Sequence, residues 1–123
     1  MARAQDLMST AYRRFIAEIP PLDRLKLMIR IELRGRGDVQ IFGVRIPGPE
    51  IIKGEPEAPR VEITMPRRLL TELAEAGKVA DWRAAYAHGD VRVVGDPNVI
   101  KLVATVIERH QARAPFRGRP DGA

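Results

Sequence analysis

The run AAYAHGDVRVVGDPNVIKL, Ala84 to Leu102, restricts the fold of this chain more than any other segment. It reads as the end of a short helix, a glycine, one short strand over Asp90 to Val94, a second glycine and a new helix. Asp96 is a favoured N-cap, because its carboxylate accepts from the amides that open a helix. Pro97 suits the first helical position, where a missing N–H leaves nothing unpaired. Val99, Ile100, Val103, Val106 and Ile107 then recur at helical spacing and give that helix an apolar face. Gly89 and Gly95 bracket the strand so tightly that neither neighbouring helix has a loop to spare. Junctions this short pin both helices against the sheet that the strand joins. The stretch is a packing device.

Elsewhere the chain alternates between two hydrophobic periods. Leu7, Met8, Ala11, Tyr12, Phe15, Ile16 and Ile19 recur every three or four residues and predict an amphipathic first helix, which Pro20 and Pro21 end. Few cations flank its stripe, so a core-facing role is favoured over an interfacial one. After Leu22 to Lys26 the period falls to two. Ile29, Ile31 and Leu33 alternate with Arg30, Glu32 and Arg34, GRGD turns the chain, and VQIFGVRI returns as the second strand of a hairpin. Gly43 marks either a bulge or a close backbone approach. The proline-rich PGPEIIKGEPEAPR has room only for a short edge strand around Glu50 to Lys53, and Val61, Ile63 and Met65 mark another strand. A helix from Pro66 carries Leu69, Leu70, Leu73 and Ala74 on one face. It ends at Gly77, in the left-handed conformation that favours glycine. A further short helix begins at Asp81-Trp82 and stops at Gly89.

Composition works mainly by exclusion. A chain of 123 residues suits one core, expected over residues 1–112, with 1–20 as its first helix. Residues 113–123, rich in proline, glycine and arginine, read as a disordered basic tail. There is no cysteine, so disulfide and thiolate chemistry are absent, as suits a reducing compartment. The opening MARAQDLMSTAYRRF has no continuous apolar segment, and no run reaches the roughly 18 apolar residues of a membrane span. Neither export nor spanning is expected, and a cytoplasmic location is. The net charge of +5 invites a polyanion, but the cations are spread along the whole chain. A solvated basic surface is favoured, and a nucleic-acid partner, which would engage Arg113, Arg117 and Arg119, is not expected.

No constellation carries chemistry. Glu50, Glu55 and Glu57 have no histidine or nucleophile beside them and read as a solvated acidic loop. His88 and His110 are the only histidines and belong to no metal-spaced set. Ser9, the only serine, has no histidine near it in sequence. An aspartate at Asp96 competes with any anion for the helix amides, so a plain cap is favoured there. No catalytic residue, metal or cofactor is expected, and binding is favoured over catalysis.

The segment VEITMPRRLLTELAEAGKVADWRAAYAHGDVRVVGDPNVIKLVATVIER resembles the sterol carrier protein type 2 family in the order of its pieces. These are the strand Val61 to Met65, the helix Pro66 to Ala76, Gly77-Lys78, the aromatic-bearing helix Trp82 to His88, the Gly89 to Gly95 unit and the helix Pro97 to Arg109. The preceding RIELRGRGDVQIFGVRIPGPEIIKGEPEAP is compatible with the family's opening strands, so the resemblance covers about Ile29 to Arg109. GDPN departs from the family's common apolar helix start, and PDGA is no peroxisomal address. The resemblance implies an α+β fold: a five-stranded, largely antiparallel sheet covered on one side by helices, with an apolar tunnel between. It implies noncatalytic binding or transfer of a hydrophobic small molecule, such as a fatty acid, acyl-CoA or sterol-like lipid. Trp82, Tyr86, Leu73, Phe42, Val103 and Ile107 are the candidate lining residues. Trp82 and Tyr86 lie four apart on one helix face, where core packing and a pocket wall both remain open. A second reading is a structural or assembly module whose tunnel is filled by its own side chains. Its first helix or basic tail would dock a protein partner or another copy.

Overall fold

The computed structural model describes residues 3–118, with side chains through Gln111. In chain order the elements are α1 (Ala4–Glu18), a 3-10 turn (Pro20–Arg24), β1 (Leu27–Arg34), β2 (Val39–Ile46), β3 (Glu50–Lys53), β4 (Val61–Pro66), α2 (Arg67–Ala76), α3 (Val79–Ala87), β5 (Arg92–Gly95) and α4 (Pro97–Gly118). The strands form one five-stranded sheet in the order β3-β2-β1-β4-β5. β1 and β4 are parallel, and every other pairing is antiparallel. The fold is α+β with helices gathered on one side of the sheet, as the sequence leads one to expect.

Alternation sets the two faces. Leu27, Ile29 and Ile31 of β1 stand opposite Ile46, Val44 and Phe42 of β2, while Ile29, Ile31 and Leu33 stand opposite Val61, Ile63 and Met65 of β4. This face joins Leu7, Met8 and Ala11 of α1 and Leu70, Leu73 and Ala74 of α2 in the main core. A second cluster, Ile19, Leu22 and Val79, lies under Val103, Val106 and Ile107 of α4. Among the described residues, the buried ones are all apolar apart from glycine. α1 sinks Leu7, Met8 and Ala11 into the core and leaves Tyr12, Phe15 and Ile16 half-buried.

The outer face carries Met28, Arg30, Glu32 and Arg34, and across it runs the connection from β3 to β4. That crossing is forced, since β3 sits at one edge and β4 lies beyond β1. It settles the role of Gly43. The register Arg30 to Gly43 is unbroken, so there is no bulge. A Cβ on Gly43 would come within 2.7 Å of the Pro56 ring, so the glycine marks a close approach. Arg30 clamps the crossing by donating to both oxygens of Glu55, at 2.9 and 3.0 Å. Glu55 therefore straps the loop while its side chain stays well exposed, within the solvated acidic loop the sequence reading expected. Arg34 and Arg30 also donate to Glu32, at 2.7 and 3.1 Å, and hold its carboxyl below the usual carboxylate range.

Several boundaries differ from the sequence reading, each for a local reason. α3 begins at Val79, two positions early, because the Glu18 carboxylate of α1 accepts the Val79 amide at 2.8 Å and Asp81 accepts the Lys78 amide at 2.8 Å. Gly77 is extended, with φ −79° and ψ 149°, and is not left-handed. A Cβ there would meet the Leu73 carbonyl oxygen at 2.7 Å, so closeness and not handedness excludes a side chain. Pro66 closes β4, and α2 starts at Arg67. β5 starts at Arg92, because the Asp90 and Val91 amides both bond back to the Ala85 carbonyl, at 2.9 and 3.3 Å.

The Gly95 junction behaves as its sequence indicates. Gly95 has φ +144°, and a Cβ on it would collide with the Arg60 carbonyl oxygen. That same oxygen accepts the Asp96 amide at 2.9 Å. Asp96 caps α4 by accepting the Asn98 amide at 2.9 Å, and Arg60 donates to its other oxygen at 2.7 Å. α4 continues to Gly118 and so takes in residues 113–118 of the segment read as a tail. The rest of that segment, residues 119–123, lies outside the described residues. No helix among the described residues is long and apolar enough to cross a membrane.

Candidate functional site

Two apolar clusters meet between the sheet and the helices, and one aromatic pair joins them. The rings of Phe15 on α1 and Trp82 on α3 lie 5.5 Å apart at 60°, a tilted contact of the favourable kind. Trp82 packs against the main core, and Phe15 packs against the second cluster. Phe42 and Leu73 belong to the main core, on β2 and α2 respectively. Val103 and Ile107 cover the second cluster from α4. The structure thus brings Phe42, Leu73 and Trp82 together in the main core between sheet and helices, and sets Val103 and Ile107 on the second, strand-free cluster.

Tyr86 is the exception. It is 54% exposed. The buried side of α3 is Val79, Trp82 and Ala85, a spacing of three, which turns Tyr86 toward solvent. Phe15 is the partner that sequence reasoning missed. Its place in the stripe of α1 was visible, but its meeting with Trp82 depends on how α1 and α3 cross.

α4 covers this region loosely. Its apolar residues Val99, Ile100, Val103, Val106 and Ile107 are only half-buried, and Leu102 is 49% exposed. Near its far end the helix is tied to α3 by Arg83, which donates to Gln111 at 2.6 Å and lies 3.9 Å from Glu108. At its start it is tied to Arg60, the residue before β4, through Asp96. On the opposite flank, Tyr12 of α1 donates to Asp23 at 2.7 Å. Burial first, and then that bond, push the Tyr12 phenol above its ordinary range.

A groove of about 360 Å³ opens at the end of the sheet where β1 begins and β2 ends. Lys26, Leu27, Met28, Arg45, Ile46, Pro47 and Glu57 line it. Register explains its composition. Leu27 pairs with Ile46 on the core face, and Met28 pairs with Arg45 on the outer face, so the groove wraps the sheet's end. Ile46 is itself a main-core residue and Leu27 packs on that core, so the floor is continuous with the interior. The rim is charged. Arg45 lies 3.3 Å from Glu50, with both side chains well exposed. Sequence reasoning found none of this rim, because Lys26, Arg45 and Glu57 become neighbours only through sheet register and the loop that crosses it. What the groove offers chemically is a small apolar floor rimmed by solvent-exposed charges of both signs.

No family model and no curated protein matches the chain. Solved structures do. The chain is similar to palmitated SCP2L2 from Aedes aegypti, with 18% identity and a TM-score of 0.56, over 80% of this chain and 92% of that one. It is similar to the sterol carrier protein domain 2 of Helicoverpa armigera, with 12% identity and a TM-score of 0.58, over 89% and 94%. The UbiJ-SCP2 ubiquinone synthesis protein is similar at 12% identity and a TM-score of 0.50, over 90% and 96%. At such identities the likeness is one of architecture, and the chain has the sterol carrier protein 2 fold.

Proposed function

We propose that this protein binds a long-chain lipid, without chemical conversion, between its sheet and its helices. The observation that carries the reading is an all-apolar interior whose second cluster lies under a helix, α4, with an apolar face that is only half-buried. Phe42, Leu73, Trp82, Val103 and Ile107 are the residues we assign to the ligand. The driving force is removal of acyl surface from water, about 0.8 kcal/mol per methylene. Association costs about 4–15 kcal/mol of lost freedom, so a short chain gains too little. About fifteen methylenes supply roughly 12 kcal/mol, enough for micromolar binding at the lower association costs. Palmitated SCP2L2, which shares the fold, supports a ligand of that length. Native mass spectrometry of the purified protein tests the reading: added palmitate should appear as a one-to-one adduct. Absence of any adduct at micromolar palmitate contradicts it.

A second reading has one observation in its favour. Ile19, Leu33 and Ala74 are fully buried, as in a core filled by its own side chains. The fold also occurs in a ubiquinone synthesis protein. On this reading the chain is an assembly module. Light scattering that gives the mass of two or more copies, together with no lipid adduct, would favour it.

A further inference from the structure

A largely antiparallel sheet with helices on one side commonly turns polar residues to water on the other. This sheet does so along its middle, where Arg30, Glu32 and Arg34 of β1 lie beside Glu62 and Thr64 of β4 on the outer face. On β2 and β3 the outward residues Val39, Ile41 and Ile52 are aliphatic instead. Ile52 stands opposite Gly43, which makes it a diagonal neighbour of Ile41, roughly 7–8 Å away. Val39 is the next outward residue along β2. Pro56 of the crossing loop lies over Gly43 and leaves Val39 53% and Ile52 40% exposed. The free charge beside this strip is positive. Arg34 stands opposite Val39, and Arg36 lies in the turn between their strands. Ile41, Glu32, Thr64 and Arg92 form one row across the face. Arg36 and Arg92 are exposed and pair with no described carboxylate. The acids nearby are already engaged: the Glu32 side chain, 15% exposed, accepts from Arg30 and Arg34, and Asp38 accepts from Arg67.

We infer that this outer face docks an acidic amphipathic helix of another protein. Its apolar residues cover Val39, Ile41 and Ile52, and its carboxylates meet Arg34, Arg36 and Arg92 as charge-assisted pairs. The dimensions agree. Five strands at about 4.8 Å spacing put roughly 19 Å between β3 and β5, and a helix of about eighteen residues is about 27 Å long. Charge complementarity selects the occupant. A second copy placed on this face by a two-fold axis would bring the same three arginines against their own copies. Single-stranded nucleic acid is held by stacking on aromatic rings, and no outward residue of these strands is aromatic. An interfacial segment sinks about 5–10 Å into a membrane, a depth that valine and isoleucine on a pleated face do not reach. The face lies across the sheet from the lipid-binding interior, so this docking does not depend on the lipid reading.

The test is fluorescence anisotropy of a labelled peptide of about eighteen residues, with leucine along one helical face and glutamate elsewhere, titrated with the full chain. Micromolar binding is expected. The same peptide with lysine for glutamate, and an all-glutamate peptide, should each bind at least about tenfold more weakly. Ile52→Gln should weaken the leucine–glutamate peptide several-fold at every salt concentration. Arg92→Gln should weaken it several-fold at low salt and flatten its salt dependence. Leu102→Gln and Arg109→Gln, which remove an exposed apolar residue and an exposed cation from α4, are the controls and should change nothing. All four positions are exposed, and circular dichroism of each variant checks that the fold is kept. No binding of the leucine–glutamate peptide below millimolar concentration overturns the proposal. So does equal binding of the lysine counterpart, or an equal loss in the α4 controls. Oligothymidylate or phosphatidylglycerol vesicles that bind more tightly than the peptide, and that Arg92→Gln weakens, would give the face to another class of partner and overturn it as well.

Discussion

Replacing Gly95 by alanine tests the junction on which the last strand and helix depend. Gly95 holds φ +144°, and a Cβ there would collide with the Arg60 carbonyl and lie 2.9 Å from the Val61 Cα. Both obstacles are backbone, so no side chain can rotate away, and β4 or the junction must shift. The Arg60 carbonyl also accepts the Asp96 amide at 2.9 Å, and a shift weakens that bond too. Backbone strain of this kind costs about 1–3 kcal/mol and a lost hydrogen bond about 0.5–1.5 kcal/mol, for roughly 2–4 kcal/mol together. Gly89→Ala is the control. Its φ is +85°, but nothing lies within 4 Å of its Cβ position, so only left-handed strain of about 1–2 kcal/mol is added. Trp82 is the single tryptophan and reports urea unfolding directly. With a urea slope of about 2 kcal/mol/M, Gly95→Ala should lower the midpoint by about 1–2 M and Gly89→Ala by about half as much. Equal midpoints for the two variants would refute the packing role of the junction.

Acid should act through the paired carboxylates. Arg60 foremost, then the Asn98 amide, holds Asp96 below its ordinary 3.8, and Arg34 foremost, with Arg30, holds Glu32 below its ordinary 4.5. Depressed carboxylates contribute stability that is present above the unfolded values and lost as pH falls through the folded ones. The urea midpoint should therefore be flat near neutrality and fall below about pH 4.5, with a shallower fall in Arg60→Gln. Gly43→Val should destabilise by about 1–3 kcal/mol in the same urea assay, because the added carbon meets the rigid Pro56 ring; a neutral effect contradicts the crossing geometry. Tyr86→Ala should leave both the urea midpoint and palmitate affinity nearly unchanged, since the ring is exposed; a large loss in either would return Tyr86 to the site.

What the sequence disclosed follows from the range over which each effect acts. Local periodicity placed Ile29, Ile31 and Leu33 on one face, the edge strand at Glu50 to Lys53, and the cap at Asp96, because those signals lie within a few residues. The strand order was less accessible, since nothing in Val61 to Met65 states that it pairs in parallel with β1 across a crossing loop. Gly43 was legible as a special position, but only Pro56, thirteen residues on, decides between bulge and close approach. Trp82 and Tyr86 share a helical spacing, yet the tilt of α3 selects Val79, Trp82 and Ala85 as the buried side. The charged groove was illegible for the same reason: Lys26, Arg45 and Glu57 come from three separate segments and share no local pattern.

The most direct measurement of the central claim is titration of the full chain with palmitate, followed by Trp82 emission and by native mass in the same sample. Trp82 packs between the main core and Phe15, so a chain entering between the layers must alter its surroundings. The expected result is a saturable change in emission with a one-to-one adduct at micromolar palmitate. Unchanged emission with no adduct, from a protein that still unfolds cooperatively in urea, would contradict the assignment of lipid binding to this interior.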